Sequence, residues 1–321
     1  MKEYVLETKS VTKSYGSLLA LDRADIHVEK GSIYGLIGDN GAGKSTLLKL
    51  LAGHVFATSG EIFLFGQKEK KELERCRRQT GAIIEHPGFF PGLTVRQMLE
   101  YCRIQRGIPG KEKVEKYLKL TGISEKQNCK CNTLSLGQKQ RLGLAMALIG
   151  EPQVLLLDEP INGLDPSGIL ELRNLLRRLN EERRITILIS SHILSELQQI
   201  ADFFGFLSRG RILEEISAEH LQEKCTSYLN ILVSDAELYA AALEQRTGEQ
   251  SFRILPDRSL QITCPQREPE FYSQLAMEQG LSVKRLEQHH ASLEDYYVNL
   301  KENCRVFSEN NSVILKKGGY R

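Results

Sequence analysis

Ser32-Ile33-Tyr34-Gly35-Leu36-Ile37-Gly38-Asp39-Asn40-Gly41-Ala42-Gly43-Lys44-Ser45-Thr46 joins a short apolar run to a glycine-rich turn, and Thr46-Leu47-Leu48-Lys49-Leu50-Leu51-Ala52-Gly53 continues it as a helical run. Residues 38–45 fit the pattern G-x-x-x-x-G-K-[ST], placed after a strand and before a helix as that phosphate-binding loop requires. Gly38, Gly41 and Gly43 let the loop curl so that backbone N–H groups, including those near Asn40 and Thr46, face phosphate oxygens. The following helix N-terminus adds its positive dipole. Lys44 is placed to reach the terminal phosphates and the Ser45 hydroxyl to ligate magnesium. A glycine turn that binds nothing is the rival reading, and the flanking strand and helix count against it.

Further along the chain, Val154-Leu155-Leu156-Leu157-Asp158-Glu159-Pro160 is an apolar strand ending in two carboxylates. Neighbouring side chains on a strand point to opposite sides, so the two acids can do different work. Asp158 is expected in the magnesium shell and Glu159 as the general base that polarises the attacking water. Between the two motifs lies Leu134-Ser135-Leu136-Gly137-Gln138, followed by a basic amphipathic run. Alone, that string reads equally well as an N-capping serine.

Taken in this order, the motifs resemble those of the ABC ATPase family over about two-thirds of the chain. The resemblance implies a P-loop ABC ATPase core of α/β type, with antiparallel β and helical subdomains. It implies that Ser135, Gly137 and Gln138 act on ATP held by a second ABC ATPase subunit. Tyr15 matches the aromatic that stacks on adenine, Asp165 the acid of the loop after the carboxylate strand, and His192 the switch histidine. Where most of the family carries glutamine in the loop after the next strand, this chain has Glu85, within Ala82-Ile83-Ile84-Glu85-His86-Pro87. With the strings NGLDPSG and SSHILSEL, that glutamate resembles the bacitracin-resistance and lantibiotic-immunity branch. A carboxylate can ligate magnesium, but it loses the amide donor and brings negative charge near phosphate.

At 321 residues, 41% hydrophobic and 26% charged, the chain falls in the ordinary globular class. A net charge of +2 gives no electrostatic argument for a nucleic-acid partner. No secretory leader or membrane-length apolar run is visible, so the chain is expected to stay in the cytoplasm; the resemblance implies a place on the cytoplasmic face of the cell membrane, with an integral membrane permease as partner. Seven cysteines suit reduced thiols, and Cys129-x-Cys131 lacks the second pair a zinc site needs. The expected organisation is a nucleotide-binding domain over residues 1–216, with a helical insertion at about 88–150. An accessory module follows over 217–304, then a flexible tail over 305–321. The module reads strand 228–233, helix 235–246, strands 251–256 and 259–264, helix 268–279 and strand 281–287, a βαββαβ order of ferredoxin-like type. A further helix is expected to start at Ser292-x-x-Asp295.

The family resemblance makes the chain an ATP-hydrolysing subunit powering transport of a peptide antibiotic, drug or similar compound. Phe89 and Phe90 are the expected docking point for the permease. A soluble ABC ATPase acting on DNA or ribosomes is the alternative, weakened by the single cassette and the lack of a coiled-coil interruption. A P-loop kinase is a poorer match still, because it has no use for the Ser135 motif.

Overall fold

The structure is a computed structural model that describes residues 3–302 apart from 69, 226–227, 248–250, 264, 290–292 and 299. It divides into two compact units, Met1–Ala218 and Glu219–Arg321.

In chain order, the first unit opens with β1 (Tyr4–Tyr15), β2 (Leu18–Ala24), β3 (His27–Glu29), β4 (Ile33–Ile37), α1 (Lys44–Ala52) and β5 (Ser59–Leu64). The 12-residue β1 pairs antiparallel with β2, β3 and β5, shifting register along its length so that one strand serves three neighbours. α2 (Lys70–Arg77) and β6 (Thr80–Ile83) follow. The helical insertion is α3 (Val95–Gln105), α4 (Glu112–Leu120) and α5 (Leu136–Leu148). The chain then returns through β7 (Val154–Asp158), α6 (Pro166–Arg183), β8 (Thr186–Ser191), α7 (Leu194–Gln198), β9 (Phe203–Ser208) and β10 (Arg211–Ser217).

The second sheet has the order β10-β9-β4-β8-β7-β6, parallel except for the β9–β10 hairpin. Its central strands are buried along their whole length, which is why they read as unbroken apolar runs rather than alternating ones. Leu36, Leu156 and Leu188 from three of these strands pack with Leu47, Leu48, Leu50 and Leu51 of α1 in one core. The apolar burial of α1 thereby fixes the turn that precedes it. Gly38 is required there, since a Cβ on it would lie 2.6 Å from the Leu207 carbonyl oxygen.

The second unit contains α8 (Ala218–Lys224), whose first residue belongs to the other unit, then β11 (Tyr228–Val233), α9 (Ala236–Thr247), β12 (Phe252–Ile254), β13 (Leu260–Thr263), α10 (Pro269–Glu278) and β14 (Val283–His289). The sheet order β12-β13-β11-β14 is antiparallel throughout, the 4-1-3-2 arrangement of the ferredoxin-like split βαβ. Leu229, Ile231 and Val233 alternate inward from β11 against Tyr239 and Leu243 of α9 and Tyr272 and Leu275 of α10. The element order agrees with the expectation to within three residues at each end. A helix covers 293–298, while Ser292 and the tail over 305–321 lie outside the described residues.

Candidate nucleotide site

Gly43 precedes α1 with φ 114° and offers no side-chain cap, so the first-turn amides are left for an anion. Gly41 is also left-handed at φ 81°. A Cβ on Gly43 would lie 2.6 Å from the Ala20 carbonyl oxygen, so the loop cannot carry a larger residue there. Lys44 is buried, and its Nζ curls back to donate to the carbonyls of Gly38 (2.6 Å) and Asp39 (3.2 Å). Asn40 is exposed beside it, and Ser45 and Thr46 are half-buried in the first turn of α1.

The parallel register of β7 and β8 sets Asp158 opposite Ser190. The Ser190 hydroxyl donates to Asp158 Oδ1 at 2.7 Å and accepts from the Glu159 N–H at 3.1 Å, which ties both acids to the neighbouring strand. Asp158 is buried at the strand end. Glu159 turns out of the strand with φ 48°, a left-handed backbone that costs a non-glycine residue about 1–3 kcal/mol. Its Oε1 lies 3.0 Å from Lys44 Nζ and its Oε2 lies 2.7 Å from Nδ1 of His192, the first residue after β8. Lys44, at the start of α1, thus meets Glu159 and His192 at the ends of β7 and β8, with Asp158 beside Glu159 in the chain.

Glu85 follows β6 with φ 64°, another left-handed position, and its Oε1 accepts from Lys49 Nζ at 2.6 Å. That hydrogen bond holds the Glu85 carboxyl below the ordinary glutamate range and raises Lys49 above the ordinary lysine value. The charge of Asp158 adds to the rise at Lys49, so this lysine belongs to the electrostatics of the site. Neither Lys49 nor Ser190 was singled out by sequence reasoning. The signal for Lys49 was a cation inside the otherwise apolar run Leu47-Leu48-Lys49-Leu50-Leu51.

Ser135 caps α5 in a reciprocal box: its Oγ accepts from the Gln138 N–H (3.4 Å), and Gln138 Oε1 accepts from the Ser135 N–H (3.1 Å). Gly137 lies in the first turn of α5, where a Cβ would touch Leu164 at 3.5 Å. Asp165 caps α6, accepting from the Gly168 N–H (3.3 Å) and the Ser167 hydroxyl (2.6 Å). The latter bond lowers its carboxyl pKa. Tyr15, at the end of β1, is 44% exposed with Lys13 Nζ 4.8 Å from its ring centroid, leaving area for a stacking partner. Among the described residues no hydrogen bond or ion pair joins these outlying residues to the Lys44–Glu159–His192 group.

Residues 21–162 match the ABC transporter family. The bacitracin transport ATP-binding protein BcrA of Enterococcus faecalis is 40% identical over 299 residues, covering 93% of this chain and 96% of that protein. This chain belongs to the ABC transporter ATP-binding family. The lantibiotic transport ATP-binding protein SrtF of Streptococcus pyogenes is also 40% identical, over 222 residues that cover 68% of this chain and 95% of SrtF. Among solved structures, the ATP-binding cassette MJ0796, dimeric in a post-hydrolysis state with ADP and Pi, is 27% identical with a TM-score of 0.62. That alignment covers 66% of this chain and 98% of the cassette. As an ABC ATPase, the chain binds and hydrolyses ATP, pairs with a second ATP-binding subunit and works with a membrane permease. No helix among the described residues is long and apolar enough to cross a membrane. Its place on the cytoplasmic side of the membrane follows from that partnership.

Proposed function

We propose that this ABC ATPase powers outward movement of a peptide antibiotic or similar compound, with roles divided among the residues named above. The single observation that carries the assignment of roles is the contact of Glu159 with both Lys44 and His192. Glu159 takes the proton of the attacking water, His192 orients that carboxylate from its other oxygen, and Lys44 binds the terminal phosphates. Tyr15 stacks on the adenine, while Gly38, Asn40, Gly41, Gly43, Ser45 and Thr46 line the phosphate cradle.

Magnesium suits the oxygen donors present, Ser45 and Asp158 with Glu85 nearby. Among the described residues no group of three or more acids, histidines and cysteines could hold a metal ion by itself. When bound, it would neutralise charge on the phosphate oxygens. Ser135, Gly137, Gln138 and Asp165 serve the nucleotide held by the second subunit, for which an identical copy of this chain is the proposed partner.

The cargo reading is supported by the names of BcrA and SrtF as bacitracin and lantibiotic transport proteins. Permease docking is supported by an exposed apolar patch. Phe90 is 52% exposed and meets Tyr101 edge to face at 5.1 Å, and Ile104 is 61% exposed. Phe89 is half-buried, so Phe90 is the better docking candidate of the two. A groove of about 610 Å³ beside them is of mixed character, lined by Leu93, Tyr101, Ile104 and Val114 together with the polar Arg96, Gln97, Glu100 and Lys111. Residues 1–216 form the nucleotide-binding domain in this reading, and the ferredoxin-like unit is an accessory module.

The test is direct titration of ATP. Lys44→Ala should weaken binding at least tenfold, the loss of one charge-assisted phosphate contact being worth about 1.5–3 kcal/mol. Parental affinity would remove Lys44 from the site.

A further inference from the structure

The P-loop helix carries two lysines, and each meets a glutamate with a left-handed backbone. Lys44 Nζ lies 3.0 Å from Glu159, and Lys49 Nζ lies 2.6 Å from Glu85. Five residues separate the lysines, about 7.5 Å along the axis. The first pair belongs to the hydrolytic machinery already described, whereas Lys49 feels the charge of Asp158 but pairs with Glu85. Lys49 is nonetheless placed with care: Leu47, Leu48, Leu50 and Leu51 around it are all buried in the core, so the helix cannot rotate to release it.

The loop that carries Glu85 is held from a second side as well. Two residues on, Pro87 lies against α5, where a Cβ on Gly143 would fall 2.6 Å from Pro87 Cγ. The start of the loop is thus pinned to α1 through Lys49 and to α5 through Gly143. Glu85 itself is 61% exposed and open to other partners.

We propose that Lys49 is the positioning residue of Glu85, holding its carboxylate on the P-loop helix so that Glu85 turns to a magnesium–nucleotide complex only by leaving the lysine. This rests on the reading that nucleotide and magnesium bind beside Ser45 and Asp158. A carboxylate already neutralised by an ammonium is a poorer metal ligand than a free one, because the ion pair must first be broken. The pair therefore raises the magnesium concentration needed to bring Glu85 into play. It also removes the repulsion that an unpaired carboxylate would exert on metal-free nucleotide. Were Lys49 instead to act directly on phosphate, its removal would have the same effect whatever residue stood at position 85.

The experiment uses the full chain carrying Glu159→Gln to suppress turnover, and reads binding of a fluorescent ATP analogue against magnesium concentration. Lys49→Gln should lower the magnesium half-saturation by roughly two- to fivefold when Glu85 is present, the upper part of the range of an exposed to half-exposed ion pair. With Glu85→Gln also in place, the same substitution should change it by less than about 1.5-fold. Lys49→Arg, which can keep the pair, should behave as the parent. Equal shifts in both backgrounds, no shift in either, or an Arg variant as altered as the Gln one would each overturn the proposal. A Lys44→Ala control that still bound the analogue at parental affinity would show instead that the underlying nucleotide-site reading had failed.

Discussion

At the residue scale, the decisive feature is one glutamate serving two partners. Glu159 leaves β7 in a strained backbone conformation and is anchored by Lys44 on one oxygen and His192 on the other. Ser190 fixes its N–H from the side. Glu159→Gln keeps the shape of the side chain but removes its charge and basicity, so steady-state ATP hydrolysis should fall roughly 100- to 10,000-fold while ATP binding persists. A turnover rate within threefold of the parent would take the general-base role away from it. The two acids after Val154-Leu-Leu-Leu and the lysine after Gly43 were legible in the sequence because each sits at a fixed place in a motif whose flanking elements are also readable. Lys49 and Ser190 were not, because their roles depend on strands and loops more than 30 residues away in sequence, which no local pattern encodes.

At the scale of elements, the central strands and α1 were readable from their apolar runs. The ferredoxin-like unit was readable from the βαββαβ order of its segments. The irregular loops were harder: the left-handed conformations at Glu85, Glu151 and Glu159 carry no glycine to announce them. Glu151 shows what such a position can hold. Just after α5, it accepts from Lys113 and Lys116 of α4, each at 2.9 Å, and these bonds depress its carboxyl pKa to about 2. A depressed carboxyl adds stability that is present above its unfolded value and is lost as the pH falls through its folded value. Glu151 is 47% exposed, so screening reduces the contribution to about 1 kcal/mol. Thermal melts of Glu151→Gln should therefore lie below the parent near pH 7. The gap should narrow as pH drops from about 5 toward 2; a gap independent of pH would mean the lysine contacts contribute nothing.

At the scale of the whole molecule, the residues proposed for the nucleotide site do not gather in one place. Lys44, Asp158, Glu159 and His192 converge, whereas Ser135 and Gln138 are occupied with each other at the start of α5 and Asp165 caps α6. That separation is what a composite site requires, in which the Ser135 helix of one copy completes the phosphate loop of another. The sequence could supply the parts but not their division between copies, since no spacing along one chain says which residues meet across an interface. The similar cassette MJ0796 is itself dimeric, with ADP and Pi bound.

The measurement that tests this account most directly is complementation of ATP hydrolysis between two inactive chains, one carrying Lys44→Ala and the other Ser135→Arg. Each alone should be inactive, and mixing them should restore hydrolysis, because half the sites in a mixed dimer pair an intact phosphate loop with an intact Ser135. Verified mixed dimers with no recovered hydrolysis would contradict the account and show that each chain completes its own site.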